Sequence, residues 1–152
     1  MSPNGDEMIG FGEAVRLFYK NYVNFEGRAT RAEYWWPVLM QLIIYTVLAI
    51  AIIAVIGTDD LETSDSAAIL ALGMFGAGAL FALVNILPSI SVKIRRFHDL
   101  DQTGWLVLLF WVVNIFIPVA ELARMLWFAF RGTEGNNQYG PDPHGYDGDI
   151  FG

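Results

Sequence analysis

Long apolar runs separated by short charged stretches dominate this chain. From Val38 to Ile56 almost every position is apolar, with Gln41, Tyr45 and Thr46 the polar exceptions. A helix over that run covers roughly 28 Å, close to the hydrocarbon thickness of a bilayer. A first transmembrane helix is therefore predicted over 34–56. A second span is predicted over 67–92, and a third apolar segment over 105–130. The third is interrupted by Asn114, Pro118, Glu121 and Arg124. As one helix it would reach about 39 Å and need to tilt. Broken at Pro118, each half is too short to span. One long kinked span is the preferred reading, and a re-entrant hairpin is the alternative.

Ahead of the first span, Phe11, Val15, Phe18, Tyr22 and Phe25 recur at helical spacing. They predict an amphipathic helix over 11–25, lying in the headgroup region or packed on the rest of the protein. Thr30 and Glu33 have capping-box spacing, so a helix should start near Thr30. Tyr34, Trp35 and Trp36 follow, and with Trp105 they are read as interfacial aromatics. Pro37 is expected to kink or restart the helix. The second span carries Gly73, Gly76, Ala77, Gly78 and Ala82, two pairs of them at small-xxx-small spacing. Such a face lets helices approach closely, either the chain's own other spans or another protein. The turn-forming stretch 131–152 reads as a polar tail, a surface loop or mobile end.

Composition agrees with the pattern. The chain has 152 residues, 55% hydrophobic and only 16% charged, against about a quarter charged in soluble domains. That suits one membrane domain, 1–152, of all-α polytopic class. There is no cysteine, so disulfide and thiol chemistry are excluded. A net charge of −7 argues against nucleic acid as a partner. The N-terminal "MSPNGDEMIG" carries acids and no base, unlike a cleavable signal peptide.

Charge distribution sets the expected orientation. Arg16, Lys20, Arg28 and Arg31 precede the first span, and Lys93, Arg95 and Arg96 follow the second. The loop between holds Asp59, Asp60, Glu62 and Asp65 and no base. Cytoplasmic loops collect Lys and Arg, so the N-terminus and the 93–105 stretch should be cytoplasmic. The side of the C-terminus stays open, outside for a third span and inside for a hairpin.

Three blocks, "GRATRAEYWW" (27–36), "RRFHDLDQTGW" (95–105) and "GTEGNNQYGPDP" (132–143), resemble the signature blocks of the domain of unknown function 805 family, small bacterial inner-membrane proteins of the YhaH type. The resemblance covers about residues 11–143. It implies a bacterial inner-membrane location and no reaction.

Chemistry concentrates in one place. Arg28, Arg31, Arg95, Arg96, His98 and Asp99 form the candidate site. Arginines hold phosphate or an anionic lipid headgroup by bidentate bonds. A His–Asp pair moves protons near neutral pH. Equally, the arginines obey the positive-inside rule, and His98 and Asp99 tie their loop to "GRATR". Glu121 and Arg124 pair at i, i+3 or line an ion path. Asp142, Asp147 and Asp149, with His144 among them, offer oxygen ligands, but their order fits no calcium loop. No catalytic constellation, metal site or cofactor motif emerges. The expected role is that of a non-enzymatic accessory or scaffold subunit, bound to a membrane protein partner or to further copies of itself. Headgroup binding at the basic face is the alternative, and a transport component the third reading.

Overall fold

A computed structural model describes residues 9–57 and 65–143. The expected acidic loop residues Asp59, Asp60 and Glu62, and the tail residues His144, Asp147 and Asp149, lie outside the described part. Within it the fold is all-helical, with five helices and no strand: α1 (Phe11–Lys20), α2 (Arg31–Ile56), α3 (Asp65–Asp99), α4 (Leu106–Phe116) and α5 (Ala120–Ala129). Two of them, α2 and α3, are long and apolar enough to cross a membrane.

The helix ends follow from local chemistry. α2 begins where the capping box predicts: the Glu33 amide donates to Thr30 Oγ1 and the Thr30 amide to Glu33 Oε1, both at 3.2 Å. Pro37 sits in its second turn without ending it. α1 is shorter than the expected 11–25. The Asn21 side chain and backbone both donate to Leu17 O at 3.0 Å, which closes the helix. Its inward face is Ala14 and Phe18, while Phe11 and Phe25 are exposed. On the outer face Arg16 donates to Glu13, and this bond holds the Glu13 carboxyl below the ordinary carboxylate range.

α3 departs most from expectation. Residues 93–99, read as part of a loop, continue the helix to Asp99. A Schellman pattern stops it: the Gln102 amide reaches Phe97 O at 2.9 Å and the Asp101 amide reaches His98 O at 3.0 Å. Asp101 takes the left-handed position at φ 56°. The third apolar segment is two helices rather than one long kinked helix. Ile117 leaves helical geometry at φ −133°, ψ 82°. Pro118 disfavours the α conformation of the residue before it and brings no amide of its own. α4 and α5 fold back on one another, with Phe110 and Trp127 rings 6.2 Å apart.

The chain forms two compact units. One is Val38–Ile86, the apolar body of α2 and the first part of α3. Inside it Tyr45 meets Phe81 edge-on at 5.6 Å, and Gly78 lies so close to Leu48 that a Cβ would come within 2.6 Å of its Cδ2. Most of its large apolar side chains stay exposed, among them Leu72, Phe75 and Ile53. The other unit comprises Met1–Pro37 and Leu87–Gly152. Its core is aromatic: Phe97 packs on Phe128 at 4.7 Å, Trp127 at 5.8 Å and Phe110 at 6.0 Å, and Phe128 packs on Tyr34 at 4.8 Å.

Candidate functional site

The second unit gathers three distant polar segments, 27–36, 95–105 and 132–143, around one buried carboxylate. Asp99 is wholly buried. Its Oδ1 accepts from Arg28 Nε at 2.9 Å, and its Oδ2 accepts from Arg96 Nη1. One negative charge is thus shared by two guanidinium groups, and backbone carbonyls take up the remaining donors. Arg28 Nη1 donates to Gly135 O at 2.6 Å and Nη2 to Thr133 O. Arg96 donates to Phe128 O at 3.1 Å and to Phe130 O. These carbonyls close α5, where helix termini leave acceptors unsatisfied and the dipole favours a cation. Arg96 is therefore the cap of a helix remote in sequence, and it heads the fully buried side chains by volume.

The C-terminal block is locked onto the backbone of the same residue and of its neighbour His98. The Thr133 amide donates to Asp99 O at 2.8 Å, and Asn137 Nδ2 donates to His98 O at 2.8 Å. Gly132 lies against Asp99 so tightly that a Cβ there would run into the carboxylate. Asp142 is buried and accepts from the Gly135 amide at 2.9 Å. In its described part, then, the expected surface tail is a built piece of the unit.

Arg95 pairs with Glu33 at 3.2 Å while Ala29 N donates to Arg95 O. His98 Nδ1 lies 3.1 Å from Gly27 O, and its ring stacks flat on Tyr139 with centroids 3.9 Å apart. Of the six expected site residues, five thus come together, and Arg28, Arg95, Arg96 and Asp99 are buried with partners from this chain. Arg31 alone is exposed. Arg124 binds Glu121, as the i, i+3 spacing predicts, and also Tyr34 Oη at 3.3 Å, with Phe128 below it at 4.8 Å.

Two further expectations change. Tyr34, read as an interfacial aromatic, is buried under Phe128 and Arg124, while Trp35 and Trp36 are half-buried and Trp105 is exposed. Along the small-residue face only Gly78 is closely covered. Gly73 and Gly76 have nothing within 4 Å of an added Cβ, Ala77 is exposed and Ala82 half-buried. The carbonyl acceptors at 128, 130, 133 and 135 were not legible in advance, since every residue carries one. The signal nearest to them was the Gly- and Asn-rich composition of block 132–143.

The Ser91 hydroxyl is held by Asn21 O and Asn24 O. Among the described residues no group of three His, Asp or Glu stands ready for a metal. The arrangement joins segments 27–36, 95–105 and 132–143.

By fold and site, then, this is a small helical protein with two membrane-length apolar helices and an internally satisfied arginine–aspartate knot. It belongs to the family described as "Protein of unknown function (DUF805)", whose model matches residues 22–141. It is similar to the inner membrane protein YhaI of Escherichia coli K12, 36% identical over 125 residues, which cover 82% of this chain and 89% of the relative. The inner membrane protein YhaH of the same strain is 34% identical over 131 residues, covering 82% and 90%. The uncharacterized protein YiiR is 28% identical over 141 residues, covering 78% and 85%. No solved structure matches.

Proposed function

We propose that the protein is a multi-pass inner-membrane protein that carries no reaction of its own and serves as an accessory or scaffold subunit. The observation that supports this most is the contrast between its two units. In one, Arg28 and Arg96 are paired with Asp99, Arg95 with Glu33 and Arg124 with Glu121. In the other, the most apolar windows of α2 and α3 have no buried residue, and the Gly73–Gly76–Ala77 face lies open. In lipid an open small-residue face favours close helix packing. Headgroup binding at Arg28, Arg95 and Arg96 is the weaker reading, because Arg28 and Arg96 are spent on Asp99 and backbone carbonyls and Arg95 Nη1 on Glu33, with only the buried Nε of Arg95 left without a partner among the described residues. An ion path through Glu121 and Arg124 is weaker for the same reason.

The reading includes a topology. The C-terminal block is bonded to the 95–99 segment, so both belong to one membrane face, taken as cytoplasmic from the basic residues. The α4–α5 hairpin then enters and leaves by that face. The chain lacks cysteine, so single introduced thiols report sides directly. Arg31→Cys and Glu134→Cys should label from the cytoplasm and Ser66→Cys from outside. Labelling of Glu134→Cys from outside would refute the hairpin.

The role is tested by extracting the tagged protein in lipid nanodiscs and identifying what co-purifies by mass spectrometry. A stoichiometric protein partner or a second copy, lost in Gly73→Leu or Ala77→Leu but kept in Arg31→Ala, is the expected result. A monomer without partner overturns the reading.

A further inference from the structure

Beside the arginine knot, and sharing His98 and its stacking partner Tyr139 with that site, a cavity of about 520 Å³ opens between the end of α3 and the start of α4. That volume is in the range of small-molecule sites. Ile94, Val107 and Leu108 form apolar walls, and Trp105, 73% exposed, stands at the mouth. No Lys, Arg, Asp or Glu lines it. The neighbouring guanidinium groups of Arg28 and Arg96 bond to Asp99, and Arg95 bonds through Nη1 to Glu33, its buried Nε lying without a partner; none of the three arginines lines the cavity.

Of the polar residues lining it, His98, Thr103 and Tyr139, His98 holds its ring nitrogens in a defined state. Gly27 O can only accept, so His98 Nδ1, 3.1 Å away, must carry the proton. In the neutral ring Nε2 is then an acceptor. Tyr139 holds the ring in plane. Nε2 stands beside Gly104, where a Cβ would approach it to 3.1 Å and meet Ile94 Cγ2 at 2.6 Å. Glycine at 104 leaves the acceptor uncovered, and among the described residues nothing donates to it.

We propose that this cavity binds an uncharged, hydroxyl-headed lipid of the diacylglycerol type, its O–H donating to His98 Nε2 and one acyl chain lying along Ile94, Val107 and Leu108. The charge pattern selects the class. A phosphate headgroup would lose water here without any counter-charge, which is costly. A hydroxyl needs one acceptor, and one is present. The proposal rests on the membrane setting argued above but not on a docked subunit.

Native mass spectrometry of the full chain in detergent micelles, titrated with dioleoylglycerol and separately with dioleoylphosphatidylglycerol, tests it. A saturable one-to-one adduct is expected with dioleoylglycerol and not with the anionic lipid. It should weaken roughly fivefold in His98→Phe, which keeps the ring and removes the acceptor. It should vanish in Leu108→Trp, which fills the cavity, and persist in Ile53→Trp, outside the lining. Leu108 is half exposed, so that variant decides the matter if His98→Phe does not accumulate. No dioleoylglycerol adduct, equal binding of both lipids, or an adduct indifferent to Leu108→Trp overturns the site. None of these results bears on whether a protein partner co-purifies.

Discussion

At the scale of single residues, Asp99 is the position on which the knot depends. Its carboxylate touches Arg28 and Arg96, its carbonyl holds Thr133, and Gly132 presses on its side chain. Asp99→Asn keeps the shape and removes the charge, leaving two buried cations without an anion. Loss of one partner from a buried ion pair costs about 3–5 kcal/mol, so a large fall in thermal midpoint is expected in detergent. Gly132→Ala should cost about 1–3 kcal/mol by overpacking against the same carboxylate. A midpoint unchanged in both would mean that the knot does not hold the unit together. The sequence made Asp99 visible as a candidate but not its role, since of its partners only Arg96 is local, at i, i+3, while Arg28 and Thr133 lie 71 and 34 residues away along the chain.

At the scale of elements, the helix boundaries rest on caps that can be removed one at a time. Thr30→Ala deletes the α2 cap and should lower stability by about 1 kcal/mol. Asp101 stands in left-handed geometry at the end of α3, where glycine is favoured. Asp101→Gly should be neutral or stabilising, whereas Asp101→Val should cost about 1–2 kcal/mol. Chemical denaturation of the three variants in one detergent checks the order. The capping box at Thr30 was readable from spacing alone. The extension of α3 through Lys93–Asp99 was not. A dense charge cluster after an apolar run normally marks a loop, and here burial against other elements makes it helical.

At the scale of the whole molecule, the C-terminal block matters more than its turn-rich composition suggests. It supplies acceptors to Arg28, contacts to Asp99 and a stacking partner for His98. A chain stopped at Arg131 should therefore leave the second unit poorly assembled. Limited proteolysis should cut it between 21 and 31 at protease levels that spare the full chain. Equal resistance would show that the block is dispensable. The α4–α5 hairpin belongs to this scale as well. Length and Pro118 left a kinked span and a re-entrant hairpin both open; the structure shows two helices, α4 and α5, joined by the ring contacts of Phe97, Phe110 and Trp127.

Sequence alone determined the helical class, the two long apolar helices, the cap at Thr30, the family and the set of charged residues worth inspecting. Each of these depends on local composition or short-range periodicity. Tertiary structure alone decided that the arginines bond inward, that Tyr34 is buried, that the tail closes the knot and that a charge-free cavity stands beside His98. Those outcomes depend on which distant segments meet, because burial gives a guanidinium its partner and a tail its place. Spacing along the chain carries no record of that.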